Sequence, residues 1–266
     1  MFDWFTRRRN RRELPEYSRL RAAPTRPLPS DLTQEESGEA FKERRVAIEE
    51  DLRRMHSDPE GDTPRFTALV TVGGKGVVTI PMPGGDGQCI PIFSTPVRAA
   101  DYKQALLTAG PPVQYLASTP MQLFGMLRDV ERAGIQTVTL DRCPRCSTFA
   151  ATAIRSLKTP ADLGVLWTIH KASEMARLEL YVAHALRSAR AGQLEAARDV
   201  ALESVGHVSL EDPRPHLLLG RLAVVLRDRT LLEEARRFLA YFNHESSARK
   251  LALTVESGHA LFEDGD

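Results

Sequence analysis

The stretch Lys158-Thr159-Pro160-Ala161-Asp162-Leu163 divides the chain into two kinds of pattern. Thr159 offers a capping hydroxyl before a proline at the first helical position, where the missing N–H costs nothing. Downstream of it only a helical period is visible. Leu163, Leu166, Trp167 and His170, then Met175, Leu178, Val182, Leu186 and Ala189, form a stripe that runs to Gly192. Further helices are predicted over 193–207, 214–228, 230–243 and 246–262, with breaks at Gly206, Pro213, Pro215 and Asn243. Upstream the apolar residues come in short β-rich blocks between glycine turns. The fold class predicted is therefore α+β, a small mixed-sheet α/β domain followed by an all-α domain of helical hairpins.

Within the upstream part, Phe66 to Val72, Gly76 to Ile80 and Gln88 to Ser94 read as an antiparallel meander, turned at Gly73-Gly74-Lys75-Gly76 and at Pro83-Gly84-Gly85-Asp86-Gly87. Pro91 cannot donate to a ladder, so its strand belongs at an edge, or its nitrogen faces away from a partner. Thr95-Pro96 and Thr119-Pro120 repeat the Thr159-Pro160 signal and open two helices, the first to about Thr108 and the second to Gly134. Val113 to Leu116 and Ile135 to Leu140 flank the second helix as strands, which predicts a right-handed βαβ unit with parallel strands. The glycines at 73–76 lack the GxxxxGK[ST] spacing and lie between strands, which argues against a phosphate loop.

Residues 1–60 are the least core-like. Eight arginines face three acids in residues 1–26, and five basic residues face ten acids in residues 27–60. Prolines 15, 24, 27 and 29 predict an extended, flexible basic tail. Thr33 with Glu36 reads as a capping box before an amphipathic helix that carries Phe41, Ile48, Leu52 and Met55 on one stripe to about His56. Phe2, Trp4 and Phe5 ahead of the arginine run could give a weak membrane-surface contact. The domains expected are thus 1–60, 61–158 and 159–266.

Composition narrows the function classes. With 42% hydrophobic and 27% charged residues the chain is of ordinary globular kind, and a net charge of +1 removes the field that would steer nucleic acid. Three cysteines make a disulfide framework implausible and, with no apolar run near 18 residues and no secretory signal pattern, the expectation is a cytoplasmic protein.

The residues Ile90-Pro91-Ile92-Phe93-Ser94-Thr95-Pro96 form a strand-into-helix junction, followed by Val113 to Leu116, the run from Leu123 through Gly134-Ile135, and a terminal strand. In these features the stretch 66–149 resembles the N-terminal domain of the SseB family, bacterial proteins named for enhanced serine sensitivity. The resemblance implies a small α/β domain with a mixed sheet, no catalytic residues and no cofactor, and a function by association. Two departures stand out. Asp141-Arg142-Cys143-Pro144-Arg145-Cys146 occupies the place where that family turns out of its last strand, and the helical tail is not its usual C-terminal domain.

Cys143-Pro144-Arg145-Cys146 is the motif with chemical edge. Two thiolates three positions apart can face one metal, but a closed tetrahedral site needs four ligands, so Cys89 or a second copy of the chain would have to contribute. A redox reading also exists, because the pair leaves a strand and Ser147 to Leu157 reads as a helix whose N-terminus would favour a thiolate. Inert thiols in a tight turn are the third reading. The seven histidines are scattered outside any metal spacing, no GxSxG is present, and acid pairs such as Glu233-Glu234 lie on predicted solvated faces.

The helical half carries an echo: Leu194-Glu195-Ala196-Ala197-Arg198 recurs as Leu232-Glu233-Glu234-Ala235-Arg236. The spacing is near that of a tetratricopeptide helix pair, and the half reads as a degenerate array of that kind, with an ordinary helical bundle as the competing reading. Stacked pairs leave a groove in which peptides or partner helices lie. Arg214 and Arg221, on the helix with Gly220, are the candidate groove residues, able to grip carboxylates. The function predicted is a non-catalytic interaction or scaffold protein that binds a protein or peptide partner through its helical domain, with no cofactor. The alternative is a thiol-disulfide oxidoreductase or zinc-binding protein using Cys143 and Cys146.

Overall fold

The structure is a computed structural model; it describes residues 15, 17, 30–57, 64–71, 76–82, 87–106, 113–142, 149–207 and 211–257. It is of α+β class, with a small mixed sheet in the N-terminal half and a helical C-terminal region. The chain divides into two compact units, one of residues 28–180 with 207–210 and one of 1–27, 181–206 and 211–266. The expected boundary at Thr159-Pro160 is not where the chain divides. That signal starts a helix, and the division falls inside the same helix, between Leu180 and Tyr181. No helix among the described residues is long and apolar enough to cross a membrane.

The α/β unit opens with α1 (Ser30–Ser37) and α2 (Glu39–Ser57), separated at Gly38. Thr33 lies inside α1, so it is not the cap that the spacing to Glu36 predicted; the helix starts a turn earlier. Ile48 and Leu52 on α2 are buried against Ala172 and Ala176, with Phe41 and Trp167 around them. Met55, expected on the same stripe, is exposed.

The sheet follows: β1 (Phe66–Thr71), β2 (Ile80–Pro81), β3 (Gln88–Phe93), helix α3 (Pro96–Leu106), β4 (Val113–Ser118), helix α4 (Pro120–Arg132), β5 (Thr137–Leu140) and β6 (Ala150–Ala153). The strand order is β4-β1-β3-β5-β6, with β2 paired to the start of β3. β1 runs antiparallel to both β3 and β4, and β3 runs parallel to β5, so β4 and β5 point the same way as the spacing predicted. They are not neighbours, however: β1 and β3 lie between them, because β4 pairs along its full length with β1 and β5 takes the open side of β3.

Pro91 therefore sits in an interior strand, not at an edge. β1 and β3 pair only at Thr67–Phe93 and Ala68–Ile92. One residue further, opposite Pro91, the Leu69 carbonyl accepts instead from the Val78 N–H at 2.9 Å, so the donor that proline lacks is supplied by another segment. On the other side the Asp141 N–H donates to the Ile92 carbonyl.

Two cores sandwich the sheet. Ile90, Ile92, Val138 and Leu140 meet Leu123 and Leu127 of α4 and Leu163 on one face, and Leu69, Cys89 and Phe93 meet Ala99 and Tyr102 of α3 on the other. The Thr119-Pro120 signal is realised as a full capping box: the Gln122 N–H donates to Thr119 Oγ1 at 3.3 Å and the Thr119 N–H donates to Gln122 Oε1 at 3.0 Å. Replacing Thr119 by alanine is expected to lower stability by about 1 kcal/mol in urea titrations, and a change under a few tenths would remove the box from the account.

Residues 150–157 depart from expectation. They form β6, antiparallel to β5 from Leu140–Ala150 to Thr137–Ala153, and a 3-10 turn at Ile154–Ser156, where a helix was predicted over 147–157. Helix α5 (Pro160–Arg190) then begins, with Asp162 Oδ2 accepting from the N–H groups of Lys158 and Thr159.

The helical unit contains α6 (Leu194–His207), α7 (Pro213–Leu226), α8 (Arg229–Tyr241) and α9 (Glu245–Ser257). The two echoed segments fall on α6 and α8, and the aligned alanines, Ala197 and Ala235, are both fully buried. α7 is capped by Asp212, ends at Arg227 in the left-handed region (φ 54°), and passes directly into α8, capped by Asp228. Leu217 on α7, Leu239 on α8 and Leu251 on α9 form their shared core.

Candidate peptide-docking site

The helical unit holds a residue from far upstream. Tyr17, outside any helix or strand, is fully buried among residues of α7 and α8. Its ring stacks on Phe238 with centroids 4.7 Å apart and planes 13° apart, and Phe238 in turn stacks on His216 at 4.4 Å. Its hydroxyl is hydrogen-bonded to His216 Nδ1 at 2.8 Å. His216 and Phe238 are themselves buried, so the slot is lined by fixed rings rather than mobile surface groups. Burial, aided by the Glu234 carboxylate, pushes the phenol pKa well above its ordinary value. Tyr17 therefore stays neutral and the slot accommodates a phenol, not a phenolate.

The helices explain why these groups meet. α7 is buried continuously from Pro215 to Ala223. His216 sits in its first turn, where the Asp212 cap accepts from the Arg214 N–H and Pro213 and Pro215 carry no N–H to satisfy. Phe238 comes from the buried face of the strongly amphipathic α8, with Leu231, Glu234, Ala235 and Leu239. Tyr17, in the part of the chain expected to form a flexible tail, is buried because an aromatic with a hydroxyl finds both a stack and a hydrogen-bond partner. Phe2, Trp4, Phe5 and the arginine run, on which the membrane-surface expectation rested, lie outside the described residues.

Arg214 and Arg221 flank this region on α7. The carboxylate that Arg214 grips bidentately is that of its own cap, Asp212, with Nε–Oδ1 at 3.0 Å and Nη2–Oδ2 at 2.9 Å. Arg221 is buried. Neither presents an open guanidinium to a groove, so a partner's carboxylate would have to displace contacts already made.

Cys143 and Cys146 lie outside the described residues. Their flanks do not: Leu140 at the end of β5 pairs with Ala150 at the start of β6. Arg142 lies over the Phe149 ring at 5.7 Å, donates to the Pro81 carbonyl at 2.7 Å and approaches Cys89 Sγ at 3.5 Å. Cys89, the candidate third thiolate, is buried in the sheet core.

A second polar cluster went unforeseen. Asp141 follows β5 in the left-handed region (φ 57°), where aspartate is among the tolerated residues. Its carboxylate is fully buried and accepts from the Ser94 N–H at 2.7 Å, from Ser94 Oγ at 2.6 Å and from His170 Nε2 at 3.1 Å. Glu174, one turn after His170 on α5, binds Arg98 Nη2 at 2.9 Å and Lys171 Nζ at 2.7 Å. Burial works to raise the Asp141 pKa, but the His170 hydrogen bond and the charges of Lys171 and Arg98 outweigh it and hold the carboxyl well below the usual carboxylate range.

Oxygen and nitrogen atoms of Asp141, His170 and Glu174 lie within 4.8 Å of one another, a spacing that could hold a metal. The charge balance opposes one. Lys171 Nζ already stands 2.7 Å from Glu174 and 3.8 Å from Asp141, and Arg98 covers the other Glu174 oxygen, so a divalent ion would enter beside two fixed cations. Nor does Ser94 belong to a nucleophilic triad, since its hydroxyl donates to the carboxylate and not to a histidine. The cluster ties the ends of β3 and β5 to α5.

A shallow cleft of about 600 Å3 lies elsewhere in the α/β unit, where α4 and α5 begin, between Met121 and Val165. It shares no residue with the Asp141 cluster. No protein-family model, curated protein or solved structure matches this chain.

Proposed function

We propose that this chain is a non-catalytic interaction protein whose helical unit docks extended peptides. The observation that carries the reading is Tyr17: a residue outside any regular element, supplied by a segment remote from α7 and α8, fills an aromatic slot between them. A slot that buries an aromatic residue from a remote part of the chain has the recognition mode of a peptide groove, with an aromatic anchor in a desolvated pocket. The likeness of α6 to α9 to a tetratricopeptide array, and of residues 66–149 to the SseB domain, supports function by association and belongs to this same proposal.

The alternative, thiol chemistry at Cys143 and Cys146, has lost one support. Residues 150–157, read as part of the helix whose N-terminus would favour a thiolate, form β6 and a 3-10 turn instead.

The reading is tested with a labelled peptide of residues 11–23, titrated into the full chain carrying Tyr17→Ala and followed by fluorescence anisotropy. Saturable binding is expected, lost when the peptide's own tyrosine is replaced by alanine. An absence of binding by a variant whose circular dichroism matches the parent would sink the peptide-docking function.

A further inference from the structure

Resting on that reading, we infer that the slot of His216, Phe238 and Glu234 recognises an unphosphorylated tyrosine in an extended segment of a partner protein, and that Tyr17 is its tethered competitor. The slot selects by three features. Phe238 offers a ring face on which the Tyr17 ring lies with centroids 4.7 Å apart and planes 13° apart, beside the His216 ring that stacks on the same Phe238 at 4.4 Å, so a flat aromatic side chain fits the place. His216 Nδ1 stands 2.8 Å from the hydroxyl, so phenylalanine would leave a buried polar atom without that bond. Glu234 is buried and close enough to oppose ionisation of Tyr17. The same charge opposes a phosphate, whose oxygens would enter a desolvated slot beside a carboxylate.

The competition follows from the covalent link. A segment of the same chain acts at an effective concentration on the order of millimolar, so a free peptide of about 100 μM intrinsic affinity is weakened about tenfold while Tyr17 is present. A partner must therefore bind more tightly than this chain's own segment, or offer several contacts at once. Release of Tyr17 is the event by which binding is read out.

The test titrates three forms of the same labelled peptide against the native and variant chains. Its affinity is measured for the native chain and for the Tyr17→Ala chain, and a Tyr17→Phe chain serves where alanine proves unstable. The peptide itself is used plain, with phenylalanine for tyrosine, and with phosphotyrosine. The plain peptide is expected to bind the Tyr17→Ala chain about tenfold more tightly than the native chain, with the Tyr17→Phe chain between them. The phenylalanine peptide should bind less tightly than the plain one, and the phosphotyrosine peptide should show no saturable binding. Equal affinity for native and variant chains overturns the tethered competitor while leaving peptide docking intact. Binding of the phosphopeptide at least as tightly as the plain one overturns the assigned specificity. Binding to neither chain removes the proposed function itself.

Discussion

Replacing Asp141 by asparagine is expected to destabilise the α/β unit by about 3 kcal/mol at neutral pH, the scale for removing one partner from a buried ion pair. Asparagine keeps the shape and the tolerance of the left-handed backbone, so the change removes the charge and one acceptor oxygen without straining the chain. What is lost is the acceptor shared by Ser94, His170 and Lys171, while an amide N–H is turned toward donors. The cost stays at the low end because Glu174 continues to pair Arg98 and Lys171. Ser94→Ala, which removes a single hydroxyl bond, should cost only about 1 kcal/mol.

The pH dependence has a defined sign. The folded-state pKa of Asp141 is depressed below its unfolded value, so its contribution is present in full above that value, near 4, and is lost as pH falls toward the folded one. The gap in urea-unfolding free energy between the native chain and the Asp141→Asn chain should therefore be widest above about pH 5 and close as the pH is lowered toward about 2. A gap that stays constant into strong acid would show that the carboxylate's charge is not what the cluster uses.

How much of this was legible follows from how local each signal is. Thr95-Pro96, Thr119-Pro120 and Thr159-Pro160 each open a helix where expected, because a cap and a first-turn proline act within one turn. Strand partners were not legible. Val113 to Leu116 and Ile135 to Leu140 read correctly as strands of one direction, but nothing in either block says that β1 and β3 intervene. Residues 150–153, Ala-Ala-Thr-Ala, carry helical propensity and became β6 because the open edge of β5 supplies a ladder that a short helix cannot match. The polar cluster is spread from Ser94 to Glu174, and each member alone reads as an ordinary residue. Its one hint is the placing of His170, Lys171 and Glu174 within a single turn of a helix that otherwise presents an apolar stripe. Tyr17 had no signal beyond being a lone aromatic among arginines and prolines.

Gly220 gives the second large effect, and its sign depends on a neighbour. A methyl group added there would stand 2.7 Å from both δ-carbons of Leu251 and 3.3 Å from its γ-carbon, so glycine is what lets α7 and α9 approach. Two terms oppose each other in Gly220→Ala. Alanine gains about 1 kcal/mol of helix propensity, while overpacking a side chain as buried as Leu251 costs about 1–3 kcal/mol. The clash should win, leaving a net loss of about 1 kcal/mol. Leu251→Ala alone should cost about 2–5 kcal/mol, since it empties the centre of the Leu217–Leu239 core. In the Leu251→Ala background the methyl at position 220 no longer meets those δ-carbons and fills part of the cavity. Gly220→Ala should there become stabilising, with a coupling energy of about 2 kcal/mol between the two sites. Urea unfolding of the four chains in the cycle decides it. If Gly220→Ala carries the same sign in both backgrounds, the close approach at Gly220 is not what sets the spacing of these two helices, and propensity alone governs the position.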